Sequence, residues 1–596
     1  MLLRALAALF LLQALTAVPS AARPRGADDR PNVIVLLADD LGYGDLGLHG
    51  NPDVDTPRLD RLAKESVRFR RFYVSPHCAA TRASLLTGRW ALRTGTRGVN
   101  RRRETLRGDE VTLAEALRAA GYATAVIGKW HNGSHGASHP NGQGFDEFFG
   151  FSAGHWNDYF DTFLERNGVR EETTGYITEV FTREAVRFIE DHRRRPFFLY
   201  LPFNTPHGPL QAPPRLEAKY LERGLDRKTA RVYGMVEEID TQVGRLLERL
   251  DRLRLRRRTV VVFLSDNGPN TDRFTAGLRG YKGGVHEGSV RVPFFLRWTG
   301  RLDPQDIDTV AAHVDLVPTL LDLVGASELA EDSRLRWAGP LDGRSLVPLM
   351  RGKTRGDWPE RYLFHHQSAR AGLKPWPGSV RDQRWLATRR DPEAGWKLWD
   401  VDADPGQRNN LAKDRPGVLT RLSAAYDAWF ADVSVDVRDA PPVAVGPFEG
   451  AGRPPATVLA ADEAELDSVL PRGLRFSDGK GRHHAWIDRW RDPGGRVSWP
   501  LDVATPGRYG ITVEAACRAR PRGIPLHVEV AGQGRYGFVP VVRGRRWRAV
   551  PFGEVELPAG ETILELQSPG LGLPDCLEIR GARLQWRGPL GPTPAR

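Results

Sequence analysis

Two pairs of oxygen-bearing residues stand at matching places in this 596-residue chain. Asp39-Asp40 follow the unbroken apolar run Val33-Ile34-Val35-Leu36-Leu37-Ala38, and Asp266-Asn267 follow a second such run, Thr259 to Leu264, across Ser265. Adjacent carboxylates repel unless a cation or strong donors neutralise them. Three carboxylates and an amide oxygen form a hard, all-oxygen ligand set, suited to Ca²⁺ or Mg²⁺ rather than zinc or copper. Either pair alone is also what an ordinary polar turn looks like. Cys78 lies in Ser75-Pro76-His77-Cys78-Ala79-Ala80-Thr81-Arg82, followed by Leu85-Leu86-Thr87-Gly88-Arg89. A lone cysteine is commonly a small buried hydrophobe. This one precedes a short predicted helix, so backbone N–H groups and the helix dipole face its side chain, with Arg82 one turn on. That corner suits a polyoxyanion. Further polar residues close other segments: Lys129 and His131 in Gly128-Lys129-Trp130-His131, His207 after Pro206, and Lys282 in Leu278-Arg279-Gly280-Tyr281-Lys282-Gly283.

The elements that must position these residues alternate. The pattern predicts helices over 56–69, 112–120, 178–193 and 228–253, and strands over 33–38, 123–127, 196–203 and 259–264. Strand–helix alternation argues for a mainly parallel α/β sheet. The polar residues cluster beyond the carboxyl ends of the strands, the edge where open α/β sheets bind ligands. A second region, 331–437, carries short strands around 361–364, 385–388 and 396–399 and a helix over 419–430. Residues 439–457, rich in Pro, Gly and Ala, read as a linker. Short alternating runs at 497–503, 510–516, 525–530, 538–542, 562–566 and 577–586 then predict an antiparallel β-sandwich over 458–590.

Composition sets outer limits. An apolar fraction of 40% supports large cores and excludes a mainly disordered chain. Three cysteines exclude a disulfide scaffold. The formal charge of +12 invites a polyanion partner, but the basic residues are overwhelmingly arginine, spread along the whole chain, which reads as compositional bias. No zinc-finger spacing, RNA-binding signature or basic zipper supports nucleic-acid binding. At the N-terminus, Arg4, the apolar run Ala5 to Val18 and the small residues Ser20-Ala21-Ala22 have the order of a secretory signal peptide, residues 1–22. The protein is therefore expected to be exported, periplasmic or secreted, with no membrane span after cleavage.

Taken together, the motifs resemble the sulfatase family. Cys-x-Ala-x-Arg with Leu-Leu-Thr-Gly-Arg is similar to its signature. The resemblance extends in order through Pro31 to Asp45, Gly128 to His131, Pro206-His207-Gly208-Pro209, Ser265 to Gly268, Leu278 to Gly283, Arg291-Val292-Pro293, His313-Val314-Asp315, Leu341 to Leu346, and Asp404-Pro405 with Asn410-Leu411. It covers roughly residues 31–432.

The resemblance implies an alkaline-phosphatase-like α/β core, here 31–330, with helices on both faces of a mainly parallel sheet and a smaller α+β subdomain at 331–437. It implies that Cys78 is oxidised to formylglycine (3-oxoalanine) by a maturation enzyme. Asp39, Asp40, Asp266 and Asn267, with the modified Cys78, are implied to bind Ca²⁺ in preference to Mg²⁺. Arg82 and Lys129 are implied to hold the formylglycine hydrate. His131 is implied to act as the base that helps release sulfate. His207 and Lys282 are implied to bind the sulfate and assist the leaving oxygen. A hydrated aldehyde offers two hydroxyls, one to attack sulfur and one whose deprotonation ejects sulfate, a built-in exit that a thiol lacks.

The chain departs from the family at Ala80, where many members have Pro, and at Asn132, which replaces a common Leu and reads as a substrate-side difference. His365-His366 and His483-His484 read as polar loops. Cys517 and Cys576 are candidates to pair in an exported protein. The last domain loosely resembles carbohydrate-binding sandwiches. Trp486, Trp490 and Trp499 are candidates to stack on sugars, against a competing reading in which at least two of them are core. The expected substrate is a sulfated carbohydrate or an aryl sulfate. The alternatives are a phosphonate or phosphodiester hydrolase using the same site, and an inactive sulfated-glycan-binding protein.

Overall fold

The apolar run after Pro31 is a strand, Asn32–Ala38, buried on both faces in the computed structural model of the chain. Residues 1–29, 354–355, 357, 368–371, 439, 447–455, 469–472, 479–484, 491–493, 518–523, 542–546, 568–576 and 591–596 lie outside the described residues, the expected signal peptide and His483-His484 among them.

Asn32–Ala38 pairs in parallel with Phe197–Pro202 on one side and Thr259–Ser265 on the other. Ala123–Lys129 and then Glu147–Phe151 continue the parallel order beyond Phe197–Pro202. Antiparallel strands extend the sheet at both ends, Phe163–Arg166 and Val169–Glu172 at one and Phe294–Arg297 at the other, to ten strands in all. The central strands carry apolar side chains on both faces, as a sheet covered on both sides requires. Ile34, Leu36 and Ala38 enter one core with the helices Pro57–Lys64, Ile177–His192 and Arg227–Arg252. Val33, Val35 and Leu37 enter the other with Cys78–Thr87, Leu113–Ala119 and Leu316–Leu323. Because every strand of the parallel core runs the same way, their carboxyl ends deliver their polar residues to one edge.

The long expected helix over 56–69 divides. The helix is Pro57–Lys64, and Val67–Phe69 is a strand that pairs with Phe294–Arg297 and Gln305–Ile307. β-Branched Val67 and aromatic Phe69 alternate about Arg68, and that period-2 stretch takes the sheet in preference to another helical turn.

The second region holds the four-stranded antiparallel sheet Leu363–His366, Gly378–Arg381, Trp385–Arg389 and Trp396–Asp400, backed by the helix Pro416–Val433. His365-His366 are therefore strand residues and not a loop. His365 is buried with Nδ1 3.1 Å from Ser379 Oγ, and His366 Nε2 donates to the Lys374 carbonyl at 2.7 Å.

The C-terminal region is two sheets of six strands over one shared core. Part of the expected linker belongs to it: Val443–Val445 pairs in parallel with Leu501–Val503. The strand Arg548–Leu557, interrupted by Pro551 and lacking clean alternation, was not foreseen. Trp490 and Trp499 are fully buried in this core, which removes them as sugar platforms, and Trp486 is half-buried. Cys517 is disulfide-bonded; Cys576 lies outside the described residues. Among the described residues no helix is long and apolar enough to cross a membrane.

Candidate active site

The carboxyl edge of the parallel strands gathers the predicted residues in one buried cluster. Asp39 and Asp40 leave Asn32–Ala38 through a turn in which Asp40 takes φ = 67°, a conformation unusual for a residue with a side chain. The Asp40 N–H donates to Asp266 Oδ1 at 3.1 Å, and Leu41 N–H donates to Ser265 Oγ at 3.1 Å. These bonds lock the two acidic strand ends together. Arg273, fully buried, supports the same turn by donating to the Asp40 carbonyl at 2.9 Å and to both oxygens of Asp45 at 2.7 Å. Asp45 falls within the Pro31 to Asp45 motif, but nothing in the sequence pointed to Arg273, its partner far along the chain.

Lys129 ends its strand beside Asp39, with Nζ 2.5 Å from Asp39 Oδ2. Gly128 before it has φ = 131°, and a Cβ there would lie 2.0 Å from the Pro202 carbonyl oxygen of the neighbouring strand. Glycine is thus the residue that lets Lys129 arrive at this depth. Arg82, on the Cys78–Thr87 helix, donates from Nε at 3.1 Å and Nη2 at 2.8 Å to Asp266 Oδ2, and from Nη1 at 2.7 Å to the Lys129 carbonyl. Lys282 Nζ is 2.6 Å from Asp40 Oδ1, which also accepts from Asn267 Nδ2 at 2.7 Å. Asn270 Nδ2 donates to Asp40 Oδ2 at 2.7 Å. His207 Nε2 is 3.7 Å from that same oxygen.

Three carboxylates therefore face three cations, nearly all out of water. Burial pushes the Asp39 carboxyl up, but the cations beside it, Lys129 first and then Arg82 and Lys282, outweigh it and hold the pKa well below the usual carboxylate range. Asp40 behaves likewise, with Lys282 as its chief counter-charge. Asp266 goes the other way: burial and the Asp39 charge raise it to about 7 against Arg82 and Lys129. The Cys78 thiol is also raised, by burial first, despite Lys129 and Lys282.

The donor set fits a divalent cation. Ligand atoms of Asp39, Cys78 and Asp266 lie within 4.8 Å of one another, as do those of Asp39, Asp40 and His207. Asp39 Oδ1 and Asn267 Oδ1 are buried acceptors with no hydrogen-bond partner, the condition a cation would relieve. An oxygen-dominated set of this kind matches Ca²⁺ or Mg²⁺.

His131 sits at φ = 61°, and its Nε2 donates to the Val99 carbonyl at 2.9 Å. A carbonyl only accepts, so Nε2 carries the proton and Nδ1, buried without a partner, keeps its lone pair. Burial and then Lys129 drive the imidazole pKa well down, so the ring is neutral. His207 is neutral for the same first reason, with Lys282 second.

A cleft of about 670 Å³ opens onto Cys78, lined among others by His77, His155, Asn270, Tyr281, Lys282 and Gln367. His77 and His155 were missed as cleft residues. His155 carries no spacing signal, yet its ring lies 4.9 Å from His207 and 6.4 Å from His131. Asn132, read as a substrate-side difference, does not line this cleft. It is fully buried and donates to the Ala79 carbonyl at 3.0 Å and the Glu104 carbonyl at 3.3 Å, tying the first turn of the Cys78 helix to the chain beyond His131.

Residues 31–326 match the family model described as Sulfatase, and residues 281–422 match that described as N-sulphoglucosamine sulphohydrolase, C-terminal. Human arylsulfatase A is 36% identical over 475 residues, covering 69% of this chain and 89% of the relative. The chain belongs to the sulfatase family. N-acetylgalactosamine-6-sulfatase of the dog, Canis lupus familiaris, is 33% identical over 380 residues, with 57% of this chain and 69% of that one covered. The crystal structure of Ps i-CgsB in complex with k-i-k-neocarrahexaose superposes with a TM-score of 0.62 at 29% identity, covering 69% of this chain and 94% of that one. This sulfatase is accordingly a sulfuric ester hydrolase with the α/β fold expected from its sequence and an additional C-terminal all-β region.

Proposed function

We propose that the chain hydrolyses a sulfate ester on a carbohydrate, using a formylglycine hydrate made from Cys78. The observation that carries this reading is the position of Cys78. It begins a helix inside the six-charge cluster, with its sulfur among the ligand atoms of Asp39 and Asp266 and its thiol pKa raised. A nucleophilic cysteine needs the opposite shift. The hydrate, once formed, supplies one hydroxyl to attack sulfur and a second through which sulfate leaves.

Each neighbour then has a defined task. Asp39, Asp40, Asp266 and Asn267 would hold Ca²⁺, which would supply Lewis-acid stabilisation of negative charge. Arg82 and Lys129 orient the hydrate, Arg82 being fixed by three hydrogen bonds. His131 takes the proton at Nδ1, the only ring nitrogen its bond to Val99 leaves able to accept one. Lys282, which lines the cleft, and His207, which shares Asp40 with it, would bind the sulfuryl group and assist the leaving oxygen.

Several observations support a sugar as the alcohol. One relative is named for N-acetylgalactosamine and one solved neighbour holds an oligosaccharide. Tyr281 stands exposed at the cleft, its hydroxyl held on Asp272 Oδ1 at 2.6 Å, so a flat apolar face is presented in a fixed pose. The segment Arg4 to Ala22 supports export. The domain reading that goes with this function is a catalytic region 31–330, a subdomain 331–437, and a sandwich that starts earlier than 458, with Val443–Val445.

The deciding experiment is the mass of the Cys78 peptide in protein from its native host. Formylglycine is about 18 Da lighter than cysteine. Plain cysteine together with full turnover would defeat the reading, as would turnover of an aryl sulfate by Cys78→Ala.

A further inference from the structure

Two loops that hold His131 also touch the C-terminal sandwich. The first runs over residues 97–106. Its Val99 carbonyl accepts from His131, its Leu106 N–H donates to the Asn132 carbonyl at 2.9 Å, and its Glu104 carbonyl accepts from Asn132 Nδ2. Between these anchor points Arg101 and Arg102 both take positive φ, 57° and 64°. Such conformations cost energy and persist only where surrounding structure over-determines them.

The over-determination comes from the far end of the chain. Arg102 is 4% exposed, and it donates from Nη1 to the Pro441 carbonyl at 3.1 Å and from Nη2 to Glu465 Oε1 at 2.7 Å. The Arg101 guanidinium lies 4.6 Å over the Phe476 ring. The second loop follows His131 directly. His135 Nε2 is 3.1 Å from Glu463 Oε1, and Gly136 lies so close to the sandwich that an added Cβ would be 2.7 Å from Ala444 Cβ. Glu463 is itself tied by the Ala460 N–H at 3.0 Å.

We propose that the C-terminal sandwich is a positioning element of the catalytic site. Through Arg102 and His135 it fixes the loops on either side of His131, and so holds the Val99 carbonyl that selects the imidazole tautomer. Arg102 is a positioning residue: it does not line the cleft at Cys78 and acts through Val99. This inference rests on the assignment of His131 as the base.

The test uses the matured full-length protein with an aryl sulfate as probe. Arg102→Ala is expected to lower kcat roughly tenfold to a hundredfold, the scale of a misplacement near 1 Å, with KM within about twofold. Glu465→Ala, on a side chain more than half exposed, is expected to lower kcat by about threefold, because Arg102 keeps its bond to Pro441. The double variant should be no slower than Arg102→Ala, since both changes cut one connection. Multiplying effects in the double variant, or kcat in both single variants within about twofold of wild type, would overturn the clamp. If Arg102→Ala fails to fold, Glu465→Ala decides alone, and unchanged kcat counts against the proposal. A matured wild-type protein without turnover defeats the reading of the site and the clamp with it; active wild type with unaffected variants defeats the clamp alone.

Discussion

Lys129→Met separates the two jobs assigned to the charge cluster, balancing buried carboxylates and admitting a cation. Wild-type Lys129 and Asp39 are 1% and 0% exposed at the side chain, 2.5 Å apart, and Asp39 Oδ1 already lacks a partner. Removing the ammonium leaves a buried carboxylate facing one guanidinium contact at 3.6 Å from Arg82. Removing one partner of a buried ion pair costs about 3–5 kcal/mol, and methionine retains most of the lost packing volume. In chelator, the variant should therefore be destabilised by about that amount. In calcium the outcome changes sign of emphasis. Lys129 would repel a dication held by Asp39 by roughly 5.5 kcal/mol for an assumed separation of about 6 Å and an effective dielectric near 20. The variant loses that repulsion, so calcium should bind it more tightly and recover most of the deficit. Urea unfolding of both proteins, each in EDTA and in millimolar-range calcium, reads this directly through the midpoint shift. On the proposed mechanism, turnover in the variant should stay low in both conditions, because the hydrate would lose one of its two orienting cations. Equal calcium stabilisation of the two proteins would refute the argument, as would equal midpoints in chelator.

Three further outcomes follow from single side chains. Asp240 accepts the N–H groups of Arg58 and Leu59 at 2.9 and 2.7 Å, and burial raises its pKa from 3.8 to about 6. The folded state thus binds more protons between about pH 4 and 6, so wild type loses stability as pH rises through that window, by an order of ~3 kcal/mol. Relative to wild type, Asp240→Asn should gain stability over the same range, and a pH-independent difference in urea midpoint would contradict this. Gly128→Ala places a Cβ 2.0 Å from the Pro202 oxygen, so it should yield no folded, active protein; a soluble variant with wild-type kcat in a sulfate-release assay would show the strand contact to be misread. Tyr281→Ala should raise KM for a sulfated oligosaccharide about fivefold, the worth of ~1 kcal/mol of ring contact, with kcat little changed. A KM equal to wild type across a panel of sulfated sugars would remove Tyr281 from substrate recognition.

The site was legible to the extent that its chemistry is local. Asp39-Asp40, Asp266-Asn267 and Lys129 each follow a buried apolar run, and a parallel sheet brings such ends to one edge, so the mainly parallel sheet and the ligand set could be read together. Contacts made across hundreds of residues left no such trace. Arg273, which pairs with the motif residue Asp45, and Arg102, which pairs with Glu465, are charged residues in unremarkable local sequence, and only the fold pairs them. Asn132 was misassigned because a substitution against a family pattern says that an environment changed, not which one. In the sandwich, the strict alternation of Arg496–Val503 buries Trp499 with every second neighbour, and an aromatic in such a strand is core before it is a ligand platform. The irregular strand Arg548–Leu557 shifts register between Ile511 and Thr512 of its partner, and a bulge defeats a period-2 search.

The direction of the pKa shifts also constrains the kind of nucleophile this pocket can house. Burial drives four ionisable groups here toward their neutral forms: the Cys78 thiol upward, His131, His155 and His207 downward. A thiolate would have to form against burial and beside Asp39 and Asp266, which disfavours the thiol as the nucleophile of this pocket. A neutral hydrate avoids that cost, since it needs to lose a proton only as the reaction proceeds. The acceptor for that proton must then be neutral and have its lone pair available. His131 meets both conditions because burial holds it uncharged and the Val99 carbonyl commits its other nitrogen. On the proposed mechanism, the same low-dielectric pocket that disfavours the thiolate suits a neutral imidazole base, and the loop that fixes that imidazole is the one in contact with the sandwich.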